Sequence, residues 1–263
     1  MENQSVIAAL TAEGNDLDAI VADLSPAQWQ LATPAEGWTI AHQIAHLAAT
    51  FRLAALAVSN PDAFKAMSAT MSPDFNANVT AAMADFLRDP PDVLLHKWRE
   101  QRANAESVIA AAPGGQPVPW LVRPLLPAIL AAAGLMETFA HGQDVADALG
   151  VRRTPTNRMR YLVDFAVRTW DFGYQSRGLT PPEVEFRFEL TGPSGDLWAF
   201  GPEEGTQRIS GLAADFCLLV TRRRHRDDLM LTASGADAER WLDLAQAYRG
   251  PAGSGRAPGQ FSR

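Results

Sequence analysis

The chain of 263 residues is long enough to bury a sizeable core in one large domain or two smaller ones, which excludes a small disulfide-stapled scaffold. Hydrophobic residues make up 47% and charged residues 20%, so neither a disordered nor a fibrous chain is expected. A formal charge of −7 and an isoelectric point near 5.2 give no electrostatic reason to seek phosphate backbones or anionic lipid, so neither nucleic acid nor membrane is expected as a partner.

The start, Met1-Glu2-Asn3-Gln4, has no basic leader, and Glu13, Asp16 and Asp18 interrupt the apolar residues that follow. No signal peptide is read there, and a cytoplasmic location is expected. Apolar residues at helical spacing from Val6 to Leu24 predict a first helix, ended by Ser25-Pro26. A second helix is expected from about Thr39 to Val58, closed by Ser59-Asn60-Pro61; it is apolar nearly all round and should be buried on both sides. A third helical stretch runs from about Pro73 to Ala112, broken near Asp89-Pro90-Pro91. A fourth spans about Pro124 to Leu149, with Gly150 in the position favoured just past a helix end. The apolar run Trp120 to Met136 carries Arg123, Pro124 and Pro127 and is too short to span a bilayer. Four helices in this half of the chain suggest a bundle.

Beyond Thr154-Pro155-Thr156 the pattern changes. A helix from about Asn157 to Gln175 leads to Val184, Phe186, Phe188 and Leu190, which alternate with Glu185, Arg187 and Glu189 as in a half-buried strand. A turn at Thr191 to Gly195 precedes a second strand at Leu197 to Phe200. Helical periodicity returns at Ala213 to Val220 and Asp237 to Tyr248, with a strand-like run at Leu229 to Leu231 between them. The expected organisation is mainly α: a four-helix bundle over 1–152, a smaller α+β domain over 153–250, and a disordered Gly-, Pro-, Ser- and Arg-rich tail over 251–263.

On the fourth helix Glu137 and His141 stand at i and i+4, with Asp144 three positions on, so at about 100° per residue all three share one face among Ala and Leu. A carboxylate buried there needs a cationic partner. His42 and His46 are one turn apart on the second helix, and if the two helices face each other their side chains meet. Inward-facing Glu and His on bundle helices are one way to build a metal site, and two His with one carboxylate leave a position open for water or substrate. From spacing alone, an ion pair or a hydrogen-bonded core histidine explains the same residues. Trp38 and Trp120 are read as pocket lining or core. Cys217, the single cysteine, sits in an apolar helical run and is read as core.

Several segments resemble a known family. Trp29 to Leu47, especially Glu36-Gly37-Trp38-Thr39-Ile40 and Ala45-His46-Leu47, is similar to the amino-terminal signature of the DinB-like mycothiol-dependent maleylpyruvate isomerases. Glu137 to Gly150 resembles that family's second metal-binding segment, and Gly211 to Gly253 resembles the small carboxy-terminal domain of an actinobacterial branch. The resemblance implies a DinB-like four-helix bundle with an appended α+β domain, and a divalent metal, usually zinc, on His46, Glu137 and His141. His42 then lies outside the ligand set, as support or core. Asp144 either orients His141 or pairs with a neighbouring arginine.

The resemblance also implies chemistry. A metal-held mycothiol sulfur would add to a small electrophilic substrate, for isomerisation or S-transfer. A thiol-independent hydrolase or tailoring enzyme and a non-catalytic metal or small-ligand binder are the alternatives. Arg222, in the basic run Arg222-Arg223-Arg224-His225-Arg226, is the candidate catalytic residue that would clamp a carboxylate, against the reading of a solvated basic face. The expected partner is a small-molecule substrate, and the expected state a monomer or homodimer.

Overall fold

Val6, Leu10, Leu17 and Val21 form the buried stripe of α1 (Asn3–Val21). In this computed structural model, which describes residues 3–121 and 123–261, the stripe packs on two other long helices of a bundle. Ser25 caps the short α2 (Pro26–Trp29) through a reciprocal exchange with Gln28. The second long helix, α3 (Ile40–Ser59), is buried on nearly every side, as its all-round apolar pattern predicts.

Asn60 ends α3 and also starts another helix. Its side chain accepts from the Ala63 N–H at 3.1 Å, and Pro61 opens α4 (Pro61–Ser68). The stretch expected as one broken helix from Pro73 is α5 (Phe75–Met83), a single 3₁₀ turn (Phe86–Arg88) and α6 (Pro91–Ala111). The last long helix, α7 (Pro127–Leu149), stops at Gly150, whose φ of 66° is the left-handed conformation the position favours. In the bundle α3 packs on α6 and α7, and α1 packs on the same two helices.

The chain divides after Arg153 into two compact units. In the second, α8 (Met159–Arg168) and the one-turn α9 (Phe172–Gln175) replace the single helix expected over 157–175. A four-stranded sheet follows, with β1 (Phe186–Thr191), β2 (Leu197–Phe200), β3 (Gln207–Leu212) and β4 (Leu231–Ser234) in the order β2-β1-β3-β4. The β1–β3 pair is parallel and the other two pairs are antiparallel. Phe186, Phe188 and Leu190 turn inward, and with Trp198, Phe216 and Trp241 they make an aromatic core under α10 (Ala213–Val220) and α11 (Ala236–Leu244).

Strand β3 was not expected, because its sequence Gln-Arg-Ile-Ser-Gly-Leu offers only Ile209 to the core. After Leu244 the chain leaves the helix expected to reach Tyr248, and the Ala247 N–H donates instead to Val220 C=O at 2.8 Å. Residues 251–261 form no helix or strand. Gly259 N–H donates to the Asp228 carboxylate at 2.8 Å, and the Phe261 ring lies 4.1 Å from the Arg224 guanidinium carbon. Among the described residues no helix is long and apolar enough to cross a membrane.

Candidate metal centre

Two helices position the site. On α3, His46 is a part-exposed residue amid buried Ala45, Leu47 and Ala48. On α7, Glu137 and His141 interrupt an otherwise buried run in the same way. The three side chains keep 18%, 24% and 12% of their surface accessible, so the place where they meet is open to solvent.

Glu137 Oε2 lies 3.5 Å from His46 Nε2 and 3.2 Å from His141 Nε2, and one ligand atom from each residue lies within 4.8 Å of the others. The two imidazole rings are 4.4 Å apart, centroid to centroid. Burial alone would push the Glu137 carboxyl up, but hydrogen bonds from His141 and His46 and their charges more than offset it and hold it well below the usual carboxylate range.

The donor set fits a divalent cation. Ligand atoms around a tetrahedral zinc, with bonds of about 2.0–2.1 Å, stand about 3.3 Å apart, close to the two separations from Glu137 Oε2. Three mixed nitrogen and oxygen donors with an accessible side also match a centre that keeps one position for an incoming ligand.

The surroundings hold one residue that spacing did not single out. Gln43, fully buried on α3, meets His141 Nδ1 through its Oε1 at 2.5 Å. Its only sequence signal is a polar side chain in an apolar helix. Trp38 stacks on His141 at 5.8 Å and lies 5.4 Å from His46, walling one side of the centre. Trp120 stacks on Phe64 instead.

The remaining candidates take separate places. His42 Nδ1 accepts from the Thr39 N–H at 3.3 Å and contacts Thr39 Oγ1 at 2.8 Å, so the ring closes the first turn of α3; burial lowers its pKa. Asp144 is fully buried three residues beyond His141. Cys217 is buried in the core of the second unit.

Arg222, also in the second unit, lines a cleft of about 350 Å³ with Arg177, Arg224 and Arg256 among its walls. It is the one non-glycine residue at positive φ, 57°, among those described. Arg226, from the same basic run, pairs with Glu239 and with Asp243 on α11.

Residues 10–146 match the family described as "Mycothiol maleylpyruvate isomerase N-terminal domain". The chain belongs to that family. Residues 182–234 match a second family, described as "Wyosine base formation". An uncharacterized protein of Mycobacterium tuberculosis, found in two strains, is 45% identical over 250 residues, covering 95% of this chain and 97% of that protein. Among solved structures, the mycothiol-dependent maleylpyruvate isomerase superposes with a TM-score of 0.53 and its histidine-to-alanine variant with 0.55. Each comparison covers 83% of this chain and 88% of the other, at 15% identity. The DinB-like maleylpyruvate isomerase fold is therefore the fold of this chain.

Proposed function

We propose that this family member is a divalent-metal-dependent enzyme, with zinc the expected ion on His46, Glu137 and His141, that activates mycothiol for isomerisation or S-transfer on a small electrophilic substrate. The observation that carries the reading is the meeting of those three side chains at an accessible point of the bundle, in a family whose description names mycothiol. A dication bound there supplies the acidity that turns a thiol, with an ordinary pKa of about 8.5, into a fixed thiolate.

The chain's own residues supply the rest. Glu137 contributes a single negative charge, so the donor set leaves a net positive centre that favours an anionic sulfur. Trp38, packed against both ligand rings, keeps bulk water from one side of them. Cys217 is fully buried, which leaves the nucleophile to an external thiol.

Arg222 is the proposed grip on a substrate or cofactor carboxylate. Its left-handed backbone costs roughly 1–2 kcal/mol that glycine would avoid, a strain that supports a role for the side chain. Its Nη2 donates to the Gly253 carbonyl at 3.4 Å, and its buried Nε has no hydrogen-bond partner among the described residues.

Cobalt-substituted protein tests the reading. Mycothiol should add a sulfur-to-metal charge-transfer band, and maleylpyruvate should isomerise only when thiol and metal are both present. Metal uptake with no such band would remove the thiol and leave hydrolytic or Lewis-acid chemistry. Binding with no turnover of any electrophile would favour a non-catalytic binder.

A further inference from the structure

The Gln43 amide is the middle of a buried chain of hydrogen bonds with a defined direction. At its far end the Trp38 carbonyl, which can only accept, takes the Thr33 hydroxyl proton at 2.9 Å and the Thr33 N–H at 2.8 Å. With its proton directed at Trp38, Thr33 Oγ1 is left as an acceptor. Gln43 Nε2 donates to it at 2.8 Å. That orients the amide, so Gln43 Oε1 faces His141 Nδ1 at 2.5 Å, and a carbonyl oxygen there requires a proton on Nδ1. The ring's other nitrogen, Nε2, is thereby turned toward Glu137 Oε2, 3.2 Å away.

We infer that Gln43 is a positioning residue: through the Trp38–Thr33–Gln43 chain it keeps a proton on His141 Nδ1 and aims Nε2 at the candidate metal centre. Its use for metal binding rests on the reading above, while the proton on Nδ1 does not. Outer partners of this kind typically change metal affinity 10–100-fold when removed. Gln43 and Thr33 lie in the burial that excludes competing water, with Gln43 fully inaccessible. The chain also ties the loop before α3 to a ligand on α7, since Thr33 and Trp38 precede the helix that carries Gln43.

The test has two readouts. In 15N-labelled protein free of metal, long-range proton–nitrogen spectra should show a proton on His141 Nδ1. A ring bare at Nδ1 would overturn the inference. In chelator competition for Co2+, Gln43→Leu should weaken binding 10–100-fold. Gln43→Glu, which keeps an acceptor against Nδ1, should stay within a few-fold of the parent protein.

A Gln43→Leu affinity equal to the parent's, or a Gln43→Glu loss as large as that of Gln43→Leu, would reduce Gln43 to packing and defeat the proposal. Should Gln43→Leu fail to fold, Gln43→Glu and the parent's Nδ1 proton decide alone. Failure of the metal reading looks different: the parent and His46→Ala would take up cobalt equally poorly, while the nitrogen spectrum would still support or refute the role of Gln43.

Discussion

Arg153, at the end of the first unit, pairs with the buried carboxylate of Glu13 on α1, and its Nη1 donates to the Phe139 carbonyl of α7 at 3.0 Å. The guanidinium carbon lies 5.1 Å from the centre of the Phe139 ring. Glu13 interrupts an apolar stripe, and the arginine that answers it comes from the opposite end of the unit. Removing one member of a buried pair leaves the other charge uncompensated, typically at about 3–5 kcal/mol. Glu13→Gln is therefore expected to destabilise the first unit by about 3 kcal/mol. Urea unfolding followed by helical circular dichroism would measure it, and an unchanged midpoint would show that the pair contributes no net stability.

Metal should stabilise the first unit by mass action, because the site exists only when α3 and α7 are folded together. At a free ion concentration about 100 times Kd the gain is about 2.7 kcal/mol, visible as a rise in melting temperature on adding zinc or cobalt. His46→Ala and Glu137→Gln are each expected to lose most of that rise. An equal rise in both variants would place the ion elsewhere.

The strain at Arg222 separates stability from function. Arg222→Gly relieves the positive φ and is expected to hold or raise the melting temperature of the protein. It should at the same time raise KM for an anionic substrate by about tenfold or more, the scale of one lost charge-assisted hydrogen bond. A variant that is both more stable and equally active would end the case for this side chain.

The sheet of the second unit carries its own pH response. Glu189 on β1 is held below its ordinary value near 4.5, first by a hydrogen bond from Arg208 and then by one from Arg187. With a folded-state pKa below the unfolded one, the contribution is complete above the unfolded value and is lost as pH falls through the folded value. Carboxyl-carbon NMR should show Glu189 titrating below that ordinary value, and Arg208→Ala should move its midpoint back up. Glu189→Gln should make the acid limb of unfolding shallower.

Much of the architecture was legible because periodicity reports burial directly. The apolar positions of α3 and α7, the alternation Phe186, Phe188, Leu190 and the stop at Gly150 each appear where the pattern puts them. Asn60-Pro61 marks the end of a helix by pattern, although the same asparagine cap and first-turn proline begin the next one. Strand β3 was missed because pairing on both edges holds it in the sheet, and such pairing leaves little trace in side-chain pattern.

The site divides the same way. His46, Glu137 and His141 carry recognisable side chains at helical spacing, so they could be named as candidates. Gln43 could not. Its contact with His141 spans 98 positions and depends on which end of an amide a distant threonine selects.

His46 sits on one helix and the Glu137–His141 couple on another, each within a closely packed interface. A slip of α3 along α7 by one residue would move His46 about 1.5 Å along the axis and swing it through about 100°. If the proposed centre holds an ion, its affinity is thus a gauge of helix alignment. Core substitutions far from the opening that change alignment without unfolding the chain should register first as weakened ion retention.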